Sequence, residues 1–600
     1  MGLIANIKRD LAFTGRLKAL LKRVKPIQMD SPVLGCDDFE AVVDKHPDRI
    51  AMEDERRSVT YRELDALANR FAHWAKGRNI RRGEVVALMM LNRIEYFAAW
   101  LGLSKVGVVS ALVNTNLTGH ALAHSLNISR ATQVIADEDC WRAIEDCRGH
   151  CDTSFMLWVI GLRAEDEADA RRGVDTPVRG ASSVRPDRSL RSGLTCKDPA
   201  LYIYTSGTTG LPKAARITHS RARIYMNAFA SVTRSTETDR LFCVLPLYHA
   251  TGGLGGLGAV LMSGGTAVLR RRFSASGFWP DVVESRATLF VYIGELCRYL
   301  VNAPESEAEQ AHSLRVAFGN GLRPDVWDDF KRRFAIPEIV EFYGSTEGNV
   351  SLFNLDGRPG SIGRIPKFLK NRIYVRLAAY DVETDEIVRS SDGLVREARP
   401  GEIGEAIGQV RAGEARTEFT GYADKSATEK KMLRDVFQRG DCWFRTGDLM
   451  RQDSDGYFYF VDRVGDTFRW KGENVSTTEV QDRLTEAPNV SEVIAYGVPI
   501  PHQDGKAGMV ALVTEGRFAI KRFAEYTAEQ LPGFAQPMFV RVIRSIQTTG
   551  TFKYRKVDLV RDGYDPTVVD GQLYVRGGKA GYVKLTPAIF EAIQAGEYRF

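Results

Sequence analysis

Along residues 38–160 the apolar positions repeatedly change their period. The helical spacing of "YRELDALANRFAHWAKG" gives way to the short run "EVVALMM", and later to "VVSALVN" and "TQVIAD". Helical periodicity alternating with brief apolar runs predicts helices between buried strands, the wiring of an α/β domain. From residue 199 the pattern resumes, with strands expected at "ALYIYT", "LFCVLPL", "ATLFVYI", "LRVAFGN" and "IVEFYGS". Each of these ends in a loop bearing Gly, Ser, Thr or a charged residue. Open α/β sheets bind ligands at the carboxyl ends of their strands, so these loops are expected to converge on one cleft. From about residue 400 the texture turns β-rich, in "GEIGEAIGQV" and "GYFYFVDR". A separate α+β pattern follows Asp462, in "VSEVIAYGV", "GMVALVT", "FAIKRFAEYTAEQL" and "MFVRVIRS". The expected architecture is a large multi-layer α/β domain with a β-rich subdomain over residues 27–461, a hinge at 462–466, and a small α+β domain over 467–600. Residues 161–198, rich in Arg, Asp, Ser and Gly, read as a long solvated connection.

One stretch tests for a membrane span. "LFCVLPLYHATGGLGGLGAVLMSGGTAVL" carries no charge and is longer than the roughly 20 residues a spanning helix needs. It holds seven glycines, a proline and a histidine, and divides into strand, loop, buried helix and second strand. Its Gly253-x-Gly255-x-x-Gly258 lacks the βαβ context and the later acidic residue of a dinucleotide fingerprint, and that reading is discarded.

Charge changes the picture only at the N-terminus. The chain has 82 basic and 76 acidic residues, a net charge of +6. Residues 1–26 contain seven basic residues and one acid, which accounts for the whole excess. A neutral body argues against a nucleic-acid binder. The N-terminal segment is basic and amphipathic, with Leu3, Ile7, Leu11, Leu17, Leu20, Leu21 and Val24 among its lysines and arginines. Two readings stay open: a helix lying on an anionic membrane surface, and one docked on the protein's own core. No signal-peptide pattern is evident there, and the eight cysteines have no disulfide-framework spacing, which fits a reducing cytoplasm, peripheral to the inner membrane face in the first reading. Cys140, Cys147, His150 and Cys151 cluster, but without the paired spacing of a zinc site, and read as thiols on a helix and the loop after it.

The strongest chemical signal is "YTSGTTGLPK" at 204–213. Its glycines, hydroxyls and Lys213 suit a polyphosphate, but the spacing fails the Walker pattern: only two residues separate Gly207 from Gly210, and Pro212 precedes the lysine. The loop resembles the signature of the adenylate-forming enzymes, which use ATP to convert a carboxylate into an acyl-adenylate. Further pieces follow in order: "YGSTEG" at 343–348, "RTGD" at 445–448, Arg463 with "KGEN" at 471–474, and Lys553 in "TGTFKYRK". "FSASGFWPD", "YIGELCRYL", "GNGLR" and "DRVGDTFRWKGENVSTTEV" are similar to the fatty acid transport protein and very-long-chain acyl-CoA synthetase branch.

The resemblance implies ATP, Mg²⁺ and coenzyme A, and a role for each matching residue. Thr205, Ser206, Gly207, Thr208, Thr209, Gly210 and Lys213 are expected on the β- and γ-phosphates, and Thr346 on the α-phosphate. Glu347, with Thr205, is the expected Mg²⁺ ligand. Tyr343 is expected to stack on adenine beside Gly319, Asn320 and Gly321, and Asp448 and Arg463 to take the ribose. Lys553, rather than Lys556, is expected to neutralise charge as the adenylate forms. Rotation of the mobile C-terminal domain about Gly465 would then bring in the 467–474 loop, with Lys471, Gly472, Glu473 and Asn474 lining the thiol channel. His249 is expected to border the acyl and thiol side, against the competing reading of a satisfied structural histidine.

The expected activity is that of a long- or very-long-chain fatty acid–CoA ligase. Open beside it are a ligase for a bile-acid or steroid side chain and a membrane-associated uptake protein that traps fatty acid as its CoA ester. A donor of adenylate to a carrier protein would share the first half reaction, but no carrier domain is visible. An inactive binding module fits poorly with Glu347, Asp448, Arg463 and Lys553 all present. A homodimer is compatible with the sequence.

Overall fold

The computed structural model describes residues 3–162, 173–206, 212–381, 384, 386–422, 425–470, 473–501, 506–516, 518–546, 556–577 and 581–598. They form two compact units, one of residues 1–366 with 409–432 and one of residues 367–408 with 433–600.

Two sheets organise the first unit. In one, the strands Glu338–Gly344, Val316–Asn320, Leu289–Ile293, Arg240–Cys243, Thr266–Leu269 and Ile50–Glu53 lie side by side and parallel. Antiparallel strands Ser351–Asn354 and Ser58–Thr60 close its two edges. In the other, Met156–Ile160, Gln133–Asp137, Val85–Met89, Val109–Leu112 and Pro199–Ser206 run parallel, and Pro212–Thr218 returns antiparallel. The strand interiors are continuous apolar runs because both faces are covered: Val86, Leu88, Phe290, Val291, Phe318 and Val340 are all buried.

The uncharged run divides as its pattern predicts. Arg240–Cys243 and Thr266–Leu269 are adjacent parallel strands, with the buried helix Leu257–Leu261 between them in sequence. The run does therefore form a βαβ unit, which corrects one ground of the sequence reading; Gly253 and Gly255 nevertheless lie in a wide π-type helix, Ala250–Gly256, and Gly258 in the helix after it, rather than in a strand-to-helix loop. Among the described residues no helix is long and apolar enough to cross a membrane.

The connection at 161–198 departs from expectation. Its residues 163–172 lie outside those described; residues 173–198 include exposed stretches but are anchored to the core at several points. A helix runs Asp175–Gly180, and Val174, Val178, Leu194 and Cys196 are buried. Two of its arginines, Arg185 and Arg191, reach inward to acids, while Arg179 and Arg188 are exposed. Arg191 lies 2.7 Å from Asp37 and 3.2 Å from Glu40, and Arg185 lies 2.8 Å from Asp65. Those acids also surround the buried ammonium of Lys105, 2.9 Å from Glu40 and 2.5 Å from Asp65. A charge enters the core when paired, and local composition does not show its partners.

The N-terminal segment forms the helix Leu3–Val24, packed on the helix His219–Val232. Phe13 and Val24 are buried. Arg16 donates to Glu338 Oε1 (2.6 Å), Leu355 O (2.8 Å) and Val232 O (2.7 Å), and Asp10 accepts from Arg364 (2.6 Å). One face is thus held by the core, while Ile7 and Leu11 on the other are 50% and 67% exposed.

Among the described residues the second unit has two larger sheets and a two-stranded hairpin. Tyr457–Arg463, Cys442–Gln452, Ile403–Gln409, Val375–Asp381 and Glu386–Ile387 lie side by side, with Tyr457–Arg463 antiparallel to Cys442–Gln452 and Val375–Asp381 antiparallel to both of its neighbours. Val490–Pro499, Lys506–Thr514, Phe539–Ile543, Gln572–Arg576 and Tyr582–Lys584 form a mixed one, with Lys506–Thr514 and Phe539–Ile543 parallel. Phe468, Trp470, Leu484, Leu512, Phe523 and Phe539 join its core. The short hairpin Phe468–Trp470 with Glu473–Val475 covers one side of this core.

Candidate active site

In the first unit the predicted residues gather at strand ends. Gly319 and Asn320 close the strand Val316–Asn320, and Tyr343 stands near the end of its parallel neighbour Glu338–Gly344. Gly321 turns the chain away with φ +83°, a conformation that favours glycine. Asn320 Oδ1 is buried without a hydrogen-bond partner among the described residues.

Below this strip lies Glu341, two residues before Tyr343. Its Oε1 accepts from the backbone N–H of Gly321 and of Leu322 (3.1 Å), and its Oε2 accepts from Tyr292 Oη (2.6 Å). Burial pushes its carboxyl up to about 8, while these hydrogen bonds pull the other way.

Thr346 and Glu347, both half-buried, sit on the loop that follows. The loop is held by one guanidinium. Arg221 donates to Thr346 O (2.9 Å), Ser345 O (3.0 Å) and Gly348 O. Tyr225 Oη adds a bond to Ser345 O (3.1 Å). Both clamping residues belong to the helix His219–Val232, whose start is set by Thr218 Oγ1 capping Arg221 N.

Lys213 reaches the same place. Thr205 and Lys213 face each other across the antiparallel pair Pro199–Ser206 and Pro212–Thr218. Lys213 Nζ lies 5.6 Å from the ring centroid of Tyr422, and Tyr422 Oη donates to Glu347 Oε1 (2.6 Å). Burial and the adjacent carboxylate raise the Tyr422 phenol above its ordinary value, so it stays a donor. Gly207, Thr208, Thr209 and Gly210 lie outside the described residues, as does the side chain of Ser206.

His249 caps the π-type helix, its carbonyl accepting from Gly253 N (2.7 Å). Its ring packs on Tyr248, 4.5 Å between centroids. A π-type turn is uncommon and often marks a functional site.

The second unit holds the other predicted group. Asp448 and Arg463 are paired in register on adjacent strands, Oδ1 to Nε 3.6 Å. Glu405 braces this corner, accepting from Arg445 (2.6 Å) and from Gly447 N (3.0 Å). Gly465 follows with φ +84° and open space around it, in a turn closed by Asp466 N to Arg463 O (3.0 Å). Lys556 is engaged locally, its Nζ 3.1 Å from Asp466 Oδ2 and 2.9 Å from Thr477 Oγ1. Glu473 is exposed on the short hairpin, and Asn474 pairs in register with Arg469. Lys471, Gly472 and Lys553 lie outside the described residues, as does the side chain of Asn474.

Three residues here escaped sequence reasoning: Arg221, Glu341 and Tyr422. An acid inside the apolar strand "EIVEFYG" was a legible signal for Glu341. Arg221 and Tyr422 gave none, since only folding brings them to the 345–348 loop.

The family model for AMP-binding enzymes matches residues 39–405, more than half of the chain, and that for the AMP-binding enzyme C-terminal domain matches residues 479–553. The chain belongs to the AMP-binding enzyme family. Long-chain fatty acid transport protein 1 of Homo sapiens is 40% identical over 567 residues, covering 93% of this chain and 87% of that protein. The medium/long-chain-fatty-acid–CoA ligase FadD6 of Mycobacterium tuberculosis is 38% identical over 564 residues, covering 93% of this chain and 90% of that one. Among solved structures, the anthranilate CoA ligase AuaEII in complex with anthranoyl-AMP has a TM-score of 0.74 at 22% identity, covering 88% of this chain and 96% of that one. A fatty acyl CoA synthetase of Mycobacterium tuberculosis has a TM-score of 0.60 at 23% identity, covering 90% and 98%. At such identities these structures establish the fold: this AMP-binding enzyme has the large α/β region and smaller C-terminal α+β region expected from its pattern.

Proposed function

We propose that this AMP-binding enzyme is a long- or very-long-chain fatty acid–CoA ligase that forms acyl-adenylate and pyrophosphate, then acyl-CoA and AMP. The observation that carries the reading is the meeting of Lys213 and Glu347 on Tyr422, beside strand ends where Asn320 Oδ1 is buried without a hydrogen-bond partner among the described residues. The named relatives act on, or transport, long-chain fatty acids, which supports the choice of acid.

In the first half reaction a carboxylate oxygen attacks the α-phosphorus of ATP, the α–β bridging bond breaks, and pyrophosphate leaves with its electron pair. The protein's work is positioning and charge stabilisation. Lys213 and residues 205–210 hold the terminal phosphates, Thr346 donates to the α-phosphate, and Lys553 meets the charge that develops. Tyr343 stacks on adenine beside Gly319, Asn320 and Gly321, while Asp448 and Arg463 take the ribose hydroxyls. Glu347 and Thr205 offer only hard oxygen donors, a set that fits Mg²⁺ completed by substrate phosphates. When bound, Mg²⁺ neutralises phosphate charge. In the second half reaction the CoA sulfur attacks the acyl carbon and AMP leaves, with His249 and residues 471–474 on the thiol side and Gly465 as the pivot.

The exposed face of Leu3–Val24 supports the surface-helix reading. Ile7 and Leu11 stand beside Lys8, Lys18 and Lys22, apolar contact among cations. Because the opposite face is docked, the test is a substitution rather than a deletion: Leu11→Asp reduces co-sedimentation with anionic vesicles. Unchanged co-sedimentation refutes this contact.

The activity is tested with purified protein, ATP, Mg²⁺ and acids from short to very long chain, including bile acids, with and without CoA. CoA esters favouring long chains and requiring CoA are expected. Bile-acid esters alone overturn the choice of acid. Adenylate without ester, in the presence of CoA, overturns the second half reaction.

A further inference from the structure

We propose that Tyr422 is a positioning residue for the metal-and-phosphate corner of the site: its hydroxyl orients Glu347 for Mg²⁺ while its ring steadies Lys213 for the terminal phosphates. The inference rests on the nucleotide reading above and assigns a role to a residue outside every motif that led to it.

The geometry of Tyr422 supports this division of labour. The side chain is buried, so its one polar atom needs a partner, and it has one in Glu347 Oε1 at 2.6 Å. That length is typical of a hydroxyl donating to a carboxylate. A carboxylate has two oxygens. With Oε1 occupied by the phenol, the group's rotation is fixed and Oε2 remains for a cation, which commonly takes one or two carboxylates with phosphate oxygens. The ring meets Lys213 at 5.6 Å, within cation–π range. One side chain thus contacts both the acid and the base of the corner.

The backbone shows that this placement is built in. Ala215 and Tyr422 form a β-bridge, Arg216 N donates to Gly421 O (3.3 Å), and Thr420 Oγ1 donates to Arg216 O (2.9 Å). Tyr422 N donates to Thr428 Oγ1 (3.0 Å). Residues 420–422 are therefore fastened to the same strand that carries Lys213. A partner that orients a metal ligand commonly contributes about 10–100-fold to metal affinity.

The test measures equilibrium ATP binding by calorimetry, without acid or CoA, in EDTA and in Mg²⁺. In wild type, Mg²⁺ strengthens ATP binding by a measurable factor. Tyr422→Phe keeps the ring and its packing and removes one oxygen. It leaves ATP affinity in EDTA within about two-fold and lowers the Mg²⁺-dependent gain about ten-fold. Tyr422→Leu, which also removes the ring, weakens ATP binding in EDTA as well. In a Glu347→Ala background, Tyr422→Phe has no further effect, because its route to the metal is gone. A wild-type Mg²⁺ gain in Tyr422→Phe overturns the proposal, as does an undiminished loss in the Glu347→Ala background. Wild-type protein that binds no ATP in either condition overturns the nucleotide reading itself, a result distinct from both.

Discussion

Glu341→Gln isolates the buried carboxyl that accepts from Gly321 N and Leu322 N. Glu341 is buried, and its carboxyl is raised from the ordinary 4.5 to about 8. At about 1.4 kcal/mol per pH unit, that difference corresponds to as much as about 5 kcal/mol of stability. The sign follows from which state holds the proton. Below about pH 4.5 the group is neutral both folded and unfolded. Between 4.5 and 8 the unfolded chain ionises while the folded one keeps its proton, so stability falls as pH rises. Above about 8 both are ionised and the loss is complete. Glutamine preserves the shape and the carbonyl acceptor for Gly321 N and Leu322 N but cannot ionise. The assay is guanidinium unfolding of both proteins from pH 5 to 8.5, read as the variant's stability minus that of wild type. That difference is expected to rise with pH by several kcal/mol in favour of the variant. Parallel curves would refute the reasoning and return Glu341 to the ordinary carboxylate range, with its three donors outweighing burial.

Arg221→Lys loses the fork that reaches three carbonyls, and a point charge cannot replace it; kcat/KM is expected to fall about 10- to 100-fold, while a fall of less than two-fold counts against the clamp. Asp448→Asn is expected to raise the KM for ATP about ten-fold, as for a lost hydrogen bond to a charged group, and to shrink discrimination against 2′-deoxyATP. Lys553→Met should abolish pyrophosphate release from ATP and acid, whereas Lys556→Met, which breaks contacts to Asp466 and Thr477, should retain adenylation at reduced stability; the reverse outcome would exchange their roles.

The change of period from helical spacing to short apolar runs determined the α/β class and the strands of the cleft by itself, because buried parallel strands must be apolar on both faces. The uncharged run divided correctly for the same reason: glycine and proline interrupt a spanning helix wherever the chain folds. Some of the residues that the resemblance singled out do lie together, Lys213 and Glu347 both reaching Tyr422 and Asp448 pairing with Arg463. Tertiary structure alone decided what local composition conceals. Arginines 185 and 191 looked solvated because their acids, Asp37, Glu40 and Asp65, lie more than a hundred residues earlier. For the N-terminal helix the sequence left open a membrane-surface reading and a docked one, and only the fold showed Phe13, Val24 and Arg16 meeting the core. Arg221 and Tyr422 carry no signal of their own, because their roles consist entirely of distances to Ser345, Thr346, Glu347 and Lys213. A chemical group can be read from a sequence, but an orientation is held by neighbours that are remote along the chain.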